Sequence, residues 1–187
     1  MESKKDIRRH VLSVRENLTA KEQDENSQNI CRQVINHPFF MNTDIVYCYV
    51  DYKHEVITRA IIQSAWDQGK QVAVPKIIGD EMIFCFINSW KELKDGYRGI
   101  PEPTDCKIAD ADSPLVIMPG VAFDKCRNRI GYGKGFYDKF LRKHPHSHTI
   151  ALAFELQILD KIPFDSFDIR PEILITEKCI YDKRFTK

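Results

Sequence analysis

The segment spanning residues 116–138 constrains the fold most, because an apolar run, a glycine-rich turn and a helical pattern follow one another there. The run Leu115–Met118 is typical of a buried strand, and Pro119-Gly120 ends it. Beyond the glycines, apolar residues recur at helical spacing, which predicts a helix over residues 134–143. A strand that passes through a tight turn into a helix is the repeating unit of α/β folds.

The turn itself has the composition of a phosphate-binding loop. Its glycines alternate along the chain: Gly131, Gly133 and Gly135. Glycine tolerates positive φ and close backbone approach, so several N–H groups can converge on one anion at a helix N-terminus. Arg127, Arg129 and Lys134 add positive charge. The spacing matches neither the Walker loop nor the dinucleotide fingerprint, and a solvated basic loop is the alternative interpretation.

Helical and strand-like patterns alternate along the rest of the chain. Helices are predicted over residues 3–17, 19–35, 56–69 and 157–162, strands over residues 44–50, 71–77, 81–87, 149–154 and 173–176, and a loop over residues 96–106. This alternation predicts an α/β fold with a mainly parallel sheet, helices on both of its faces and helices at the N-terminus. The length of 187 residues suits a single domain over residues 1–187.

Three segments are expected to meet at one crevice of this sheet. In open α/β sheets, ligands bind beyond the carboxyl ends of the strands. Residues 51–55, 119–138 and 154–157 each leave such an end in the predicted order. The glycine turn therefore has neighbours that could complete a binding site.

Charge and cysteine content exclude several classes of protein. The net charge of +1 provides no global field for nucleic acid or an anionic membrane. The six cysteines form no C-x-x-C pair, which argues against a zinc ribbon or a thioredoxin-like motif, and most lie in apolar stretches as small hydrophobic residues. No run approaches the roughly 18 apolar residues of a membrane span, and no signal-peptide pattern opens the chain. We therefore expect a cytoplasmic monomer that binds small molecules, with neither nucleic acid nor membrane as a partner.

Basic residues of the first predicted helix and a later carboxylate each have two interpretations. The basic residues share one face of the helix: Lys4, Lys5, Arg8, Arg9 and Arg15. They lie opposite the apolar stripe of the helix, and the i, i+4 spacing of Lys4 and Arg8 alone favours a solvated basic face. Glu55 suits either a helix N-terminus or a polar ligand at the edge of the sheet.

The aspartates and aromatic residues around the turn are also ambiguous. Asp138 and Asp168 could hold magnesium together with phosphates, although a single aspartate is more often a cap or a surface charge. Tyr132 and Tyr137 could stack on a flat heterocycle, whereas Phe136 at helical spacing suits a core.

Taken in order, the residues resemble the 5-formyltetrahydrofolate cyclo-ligase family over nearly the whole chain. The resemblance rests on Lys4-x-x-x-Arg8, residues 49–55, Pro75, residues 99–103, residues 119–124, residues 129–138, Gln157, Pro163, Asp168 and residues 175–177. The block Arg129-Ile-Gly-Tyr-Gly-Lys-Gly-Phe-Tyr-Asp138 is the most specific of these motifs.

The resemblance implies a reaction and a set of site residues. The family closes 5-formyltetrahydrofolate to 5,10-methenyltetrahydrofolate with ATP and Mg²⁺, on a single α/β domain. The residues expected to bind ATP are Lys4, Lys5, Arg8, Arg129, Gly131, Tyr132, Gly133, Lys134, Gly135, Phe136 and Tyr137. Those expected to bind the folate substrate are Val50, Glu55, Tyr132, Gly133, Lys134, Gly135 and Phe136. Arg129, Tyr132 and Lys134 are expected to act in catalysis, and Asp138 and Asp168 to hold the metal.

The chain departs from the family pattern at two positions. Arg127 stands where the family usually has a glycine, so its side chain is unfavourable if that position needs positive φ. Phe167 stands where the family often has histidine, next to the retained Asp168. A non-catalytic nucleotide- or folate-binding regulator and a sugar-phosphate isomerase on a related fold are the alternative functions.

Overall fold

The computed structural model describes residues 3–183, and it begins with helices. The N-terminal helices are α1 (Lys4–Arg15), α2 (Ala20–Ile35) and α3 (Pro38–Met41). The Ser3 hydroxyl accepts a hydrogen bond from the Asp6 N–H and caps α1. Thr19 and Glu22 exchange hydrogen bonds in a capping box at the start of α2. The side chains that favour these helix starts can be read directly from the sequence.

Strands and two further helices make up the rest of the described chain. The strands are β1 (Ile45–Cys48), β2 (Gln71–Ile78), β3 (Glu81–Ile87), β4 (Leu93–Asp95), β5 (Pro101–Pro103), β6 (Lys107–Ile108), β7 (Leu115–Met118), β8 (Ala122–Asp124), β9 (Arg129–Ile130), β10 (His148–Leu152), β11 (Ile158–Leu159), β12 (Ile173–Ile175) and β13 (Ile180–Tyr181). The helices are α4 (Arg59–Asp67) and α5 (Phe136–Lys143). The main sheet has eight strands in the order β13-β12-β10-β7-β1-β2-β3-β6.

The centre of the main sheet is parallel. β1 pairs in parallel with β2 and β7, and β10 pairs in parallel with β7 and β12. The outer pairs β2–β3, β3–β6 and β12–β13 are antiparallel. The predicted α/β fold with a mainly parallel sheet is therefore confirmed.

The two faces of the central strand contact different helices. Successive residues of a strand point to opposite faces, so Tyr47 and Cys48 of β1 diverge. The Tyr47 ring stacks on Phe84 at 4.7 Å between centroids and lies 6.1 Å from Phe140 of α5. Cys48 faces Cys31 of α2 on the other side. Helices thus cover both faces of β1.

Local backbone requirements move several predicted boundaries. The helix predicted from residue 134 begins at Phe136, because Gly135 has φ 65° and serves as the N-cap of α5. The helix predicted from residue 56 begins at Arg59, because Asp51 accepts a hydrogen bond from the Thr58 N–H at 2.9 Å. The helix predicted over residues 157–162 is wrong, since β11 occupies that position.

Two small sheets were not foreseen from the sequence. β11, β8 and β9 form a three-stranded sheet, and β5, inside the predicted loop at residues 96–106, pairs with β4 just before that loop. Each of these strands has only two or three residues, which is too short for a periodic pattern to mark.

A disulfide joins Cys85 of β3 to Cys106, just before β6, with 5.0 Å between the Cα atoms. The prediction of small hydrophobic thiols is therefore wrong for this pair, because the β3–β6 pairing brings distant cysteines together. Cys31 and Cys48 are buried thiols, as predicted. Within residues 3–183, no helix combines the length and the apolar character needed to span a membrane.

Candidate active site

A cavity of about 850 Å³ lies beyond the carboxyl ends of β1 and β7. The segments after these strands line it, as predicted, and α1, the β2–β3 hairpin and parts of residues 97–102 and 165–168 complete the wall. The third predicted segment, residues 154–157, does not line the cavity. Instead, the buried Gln157 amide donates to the Gly120 and Val121 carbonyls at 3.0 and 2.9 Å, so it supports the start of the β7 loop from behind.

The cavity brings together nearly all of the predicted site residues. Those that line it are Lys4, Arg8, Val50, Glu55, Arg129, Gly131, Tyr132, Gly133, Lys134, Gly135, Phe136, Tyr137, Asp138 and Asp168. Lys5 is the exception, because it lies on an exposed side of α1 outside this lining. Residues from α1 and from the end of the chain thus converge on the glycine turn, which spacing along the sequence could not show.

The glycine turn owes its shape to residues that tolerate positive φ. Gly133 and Gly135 have φ 100° and 65°. Arg8 ties α1 to the turn, because its Nε donates to the Gly131 carbonyl at 2.7 Å. A Cβ atom built on Gly133 would lie 3.8 Å from the Arg8 Cζ. The turn is therefore positioned by its own backbone and by α1 together.

Arg129 and Asp138 form a buried ion pair beside the turn. The Arg129 Nη2 donates to the Asp138 Oδ2 at 2.9 Å, and the Ile169 N–H donates to the Asp138 Oδ1 at 2.9 Å. The guanidinium also lies 5.8 Å from the centroid of the Tyr137 ring. Both predicted residues are held firmly, and each is already engaged by a protein partner.

Lys4 and Asp168 form a second ion pair in the wall. The Lys4 Nζ donates to the Asp165 and Asp168 carboxylates at 2.6 and 2.5 Å. Although partial burial acts to lower the pKa of Lys4, these bonds and the two negative charges raise it. Phe167, at the position where the family often has histidine, is exposed with its ring centroid 5.9 Å from the Lys4 Nζ.

The carboxylates offer oxygen ligands of the type that Mg²⁺ prefers. Asp138 and Asp168 both line the cavity, so the chemistry of the donors fits a magnesium ion that is shared with phosphates. Residues 3–183 contain no group of three or more acidic, histidine or cysteine side chains that could hold a metal alone. Any magnesium here would need additional ligands from a substrate.

Glu55 is the buried carboxylate of the cavity, with 6% of its surface exposed. The Tyr132 hydroxyl donates to the Glu55 Oε1 at 2.5 Å, and the Tyr52 N–H donates to the Oε2 at 2.9 Å. Burial raises the pKa of Glu55, although these hydrogen bonds and the positive charge of Arg15 act in the opposite direction. A raised pKa in a cavity is typical of a functional carboxylate.

Arg15 lines the cavity, although its position opposite the apolar stripe of the first predicted helix gave it no candidate role. Only 5% of its surface is exposed, and its Nη2 donates to the Tyr132 hydroxyl at 2.9 Å. Its seven-residue distance from Arg8 puts both side chains on one face of α1, and this spacing could have identified it. Tyr97 was also missed, and its ring lies edge-on to Phe136 at 6.3 Å between centroids.

Several buried polar atoms of the cavity have no hydrogen-bond partner among the residues described. They are the Arg15 Nε, the His54 Nδ1, the Arg129 Nε and the Tyr137 hydroxyl. Buried polar groups are rarely left unpaired in folded proteins. Their concentration around one cavity indicates that a polar ligand completes their hydrogen bonding.

Arg127 lies outside the cavity lining and holds the loop from the opposite side. Its φ of 67° is the positive value that the glycine of the family pattern would allow. The Arg127 Nε donates to the Pro171 carbonyl at 3.1 Å, and its Nη1 donates to the Asp182 carbonyl. The nearby Asp124 accepts the Asn128 N–H at 3.0 Å, so it is a structural anchor of this turn.

Comparisons with known proteins agree with the sequence and the fold. The model of the 5-formyltetrahydrofolate cyclo-ligase family matches residues 1–177. A Schizosaccharomyces pombe protein named as a probable 5-formyltetrahydrofolate cyclo-ligase is 34% identical over 84% of this chain and 87% of its own. The NMR structure of Aquifex aeolicus 5,10-methenyltetrahydrofolate synthetase superposes with a TM-score of 0.85, at 30% identity, over 97% of this chain and 93% of the other. The 5,10-methenyltetrahydrofolate synthetase from Mycoplasma pneumoniae shares the fold, with a TM-score of 0.75 at 22% identity over 94% of this chain and 99% of the other.

Proposed function

Because the chain belongs to the 5-formyltetrahydrofolate cyclo-ligase family, we propose that it closes 5-formyltetrahydrofolate to 5,10-methenyltetrahydrofolate while ATP is converted to ADP and phosphate. The observation that carries the proposal is one cavity in which a basic glycine turn adjoins a buried carboxylate and aromatic rings. The volume of about 850 Å³ suits a site for small molecules of this size.

The glycine turn and the cations of α1 are proposed to bind the ATP phosphates. The turn leads into the N-terminus of α5, where backbone N–H groups favour negative charge. Arg8 and Lys4 reach the same region from α1. Lys134 is exposed at the turn and makes no hydrogen bond or ion pair with the described residues, so its charge is available for a phosphate.

The ion pairs of the cavity suggest how nucleotide and metal enter together. Arg129 pairs with Asp138, and Lys4 pairs with Asp168. We propose that phosphate oxygens take over the two cations, which leaves the aspartates to hold Mg²⁺. The bound ion would neutralise phosphate charge, and total charge in the site would stay nearly balanced throughout this exchange.

The folate is proposed to lie between Glu55 and the aromatic wall. An ionised Glu55 accepts hydrogen bonds from N–H groups of a ring such as the one in folate. Val50, Phe136 and Tyr97 supply apolar and aromatic surface on the same cavity. This arrangement would orient the formyl group toward the glycine turn.

In the proposed mechanism, the formyl oxygen at N5 attacks the γ-phosphorus of ATP, and ADP leaves. N10 then closes on the activated carbon and releases its proton to solvent, and departure of the oxygen with phosphate leaves the methenyl bridge. Positioning and charge neutralisation are the main contributions of a protein to phosphoryl transfer. Arg129 and Lys134 are proposed to stabilise the transferring phosphoryl group, and Tyr132 to orient the substrate beside Glu55.

The proposal is tested by following the absorbance of the methenyl product. Purified protein mixed with 5-formyltetrahydrofolate, ATP and Mg²⁺ should generate the chromophore, and omission of ATP should abolish it. Binding of either substrate without the chromophore would instead identify a regulator. Turnover of a sugar phosphate without ATP would identify an isomerase, and either outcome would overturn the proposed reaction.

A further inference from the structure

Arg15, Tyr132 and Glu55 form a directed chain of hydrogen bonds that runs from α1 into the cavity. Arginine has donors and no acceptor, so the Tyr132 oxygen must accept from the Arg15 Nη2 at 2.9 Å. The single O–H of Tyr132 is then left to donate to the Glu55 Oε1 at 2.5 Å. Arg15 thereby fixes which way the hydroxyl proton points.

The direction of this chain determines which form of Glu55 fits. The Tyr52 N–H donates to the second oxygen, Oε2, at 2.9 Å, so both carboxylate oxygens accept hydrogen bonds from donors. A protonated Glu55 would place its own proton against one of these donors. Without Arg15, the Tyr132 hydroxyl could turn and accept a hydrogen bond from the protonated Glu55, and the neutral acid would become the easier form to bury.

We propose that Arg15 is a positioning residue of the folate site, where it acts through the Tyr132 hydroxyl to hold the buried Glu55 as an ionised acceptor for substrate N–H groups. The role in substrate binding rests on the proposed function, whereas the control of Glu55 is a property of the protein alone. Arg15 need not touch the substrate, although its Nε has no partner among residues 3–183.

Ionisable groups face Glu55 from each neighbouring element. They are Tyr49 and Asp51 after β1, Arg15 from α1, Tyr132 from the glycine turn and Tyr137 from α5. Arg15 is the positive charge in this set, while Asp51 acts to raise the pKa of Glu55 further. Removal of Arg15 should therefore change the ionisation of Glu55 more than removal of an exposed arginine of α1.

The direct test is ¹³C NMR titration of the glutamate carboxyl groups in the ligand-free protein, with the Glu55 signal assigned from its loss in Glu55→Gln. Arg15→Met should raise the pKa of Glu55 by about one pH unit. Tyr132→Phe should also raise the pKa of Glu55, because the hydroxyl that links Arg15 to Glu55 is removed. Arg9→Met, a change at an exposed arginine of the same helix, should leave it unchanged.

The kinetic test separates positioning from structure. In Arg15→Met, the acid limb of the pH profile of kcat/KM for 5-formyltetrahydrofolate should shift to higher pH by about one unit. On the acid side of this limb, kcat/KM should be about tenfold lower than in the wild type, and at higher pH the difference should disappear. Arg15→Lys should recover part of the loss. A merely structural role would instead lower activity at every pH.

The outcomes distinguish this inference from the proposed function. An unchanged pKa of Glu55 in folded Arg15→Met and Tyr132→Phe would overturn the inference even if the protein forms the methenyl product. Should Arg15→Met not fold, an unchanged pKa of Glu55 in Tyr132→Phe would still overturn the inference, and this variant is expected to fold because the Tyr132 side chain is half exposed. A wild-type protein that forms no product would overturn the proposed function, while the NMR titration would still judge Arg15.

Discussion

At the scale of single residues, two cations of the cavity wall are held in ion pairs. Arg129–Asp138 and Lys4–Asp168 occupy the wall, whereas Lys134 projects from the turn alone. Removing one member of a buried pair leaves an uncompensated charge and destabilises the fold. Lys134 is therefore the residue at which a loss of phosphate binding can be measured without a loss of folding.

Lys134→Ala should lower turnover of the cyclo-ligase reaction by about 10²-fold, because a charge proposed to stabilise the transferring phosphoryl group is lost. Its melting temperature should match that of the wild type, since the side chain is exposed. Lys125→Ala, an exposed lysine outside the cavity, is the matched control. Equal rates for both variants would remove Lys134 from the mechanism.

The buried Glu55 should make the protein less stable as pH rises. Its pKa in the folded state lies above the ordinary value of 4.5, so the folded form binds more protons than the unfolded form in that window. The unfolding free energy should therefore decline between about pH 4.5 and the raised pKa of Glu55. Urea titrations across this range, compared with Glu55→Gln, isolate the contribution. A wild-type curve parallel to that of Glu55→Gln would contradict it.

At the residue level, the sequence predicted the structure correctly where a local motif specifies a single conformation. The capping box of Thr19 and Glu22 follows from spacing, and it is present. At Arg127 the sequence left open whether the position needs positive φ, and the structure has φ 67° there. Arg15 was misplaced because a charged residue on a helix is usually solvated, and only tertiary packing puts Tyr132 beside it.

At the scale of elements, the positive φ of the glycine turn can be compared with positive φ elsewhere in the chain. Gly133 and Gly69 both have positive φ, but only Gly133 lies in the cavity. A Cβ atom at Gly69 would meet no atom within 4 Å. Substitutions at these two glycines therefore distinguish the effect of backbone strain on stability from an effect on the binding site.

Gly133→Ala and Gly69→Ala should each lower the unfolding free energy by about 1–2 kcal/mol, because alanine is strained at positive φ. Only Gly133→Ala should also raise KM for ATP, since it displaces the turn and its Arg8 contact. Denaturant titration combined with initial rates makes the comparison. Equal loss of activity in the two variants would attribute the effect to stability alone.

Element prediction was most accurate for long periodic segments. β7 and the β2–β3 hairpin follow from their apolar runs, and the hairpin partner at residues 81–87 is confirmed. The β4–β5 hairpin and β11 could not be foreseen, because each strand is too short for a periodic pattern and β11 pairs with the distant β8. Part of the cavity wall around Tyr97 was missed for the same reason.

At the scale of the whole molecule, the disulfide connects sheet and cavity. Cys85 and Cys106 are 21 positions apart in the sequence, and the segment between them carries Tyr97 and Glu102 of the cavity wall. The cross-link restricts the unfolded chain and at the same time ties the ends of this segment to the sheet. It therefore affects both global stability and the wall of the site.

Cys106→Ser should lower the unfolding free energy by about 3 kcal/mol, the loop-closure contribution for a segment of this length. KM for the folate should rise as well, because the segment carrying Tyr97 is no longer tied at both ends. Dithiothreitol should reproduce both effects in the wild type but not in the variant. Cys179→Ser, outside the disulfide, serves as the control. Unaltered stability after reduction would contradict this role.

The central position of β1 has a consequence for the order in which the chain folds during synthesis. Val46 of β1 pairs with Val72 on one side and with Leu115 on the other. A nascent chain can pair β1 with β2 long before β7 leaves the ribosome. During that time the edge of β1 that later pairs with β7 has no hydrogen-bond partner. Pulsed hydrogen exchange on stalled chains should find amides toward β2 protected first. The interval before β7 emerges is then the period in which a chaperone would be most useful.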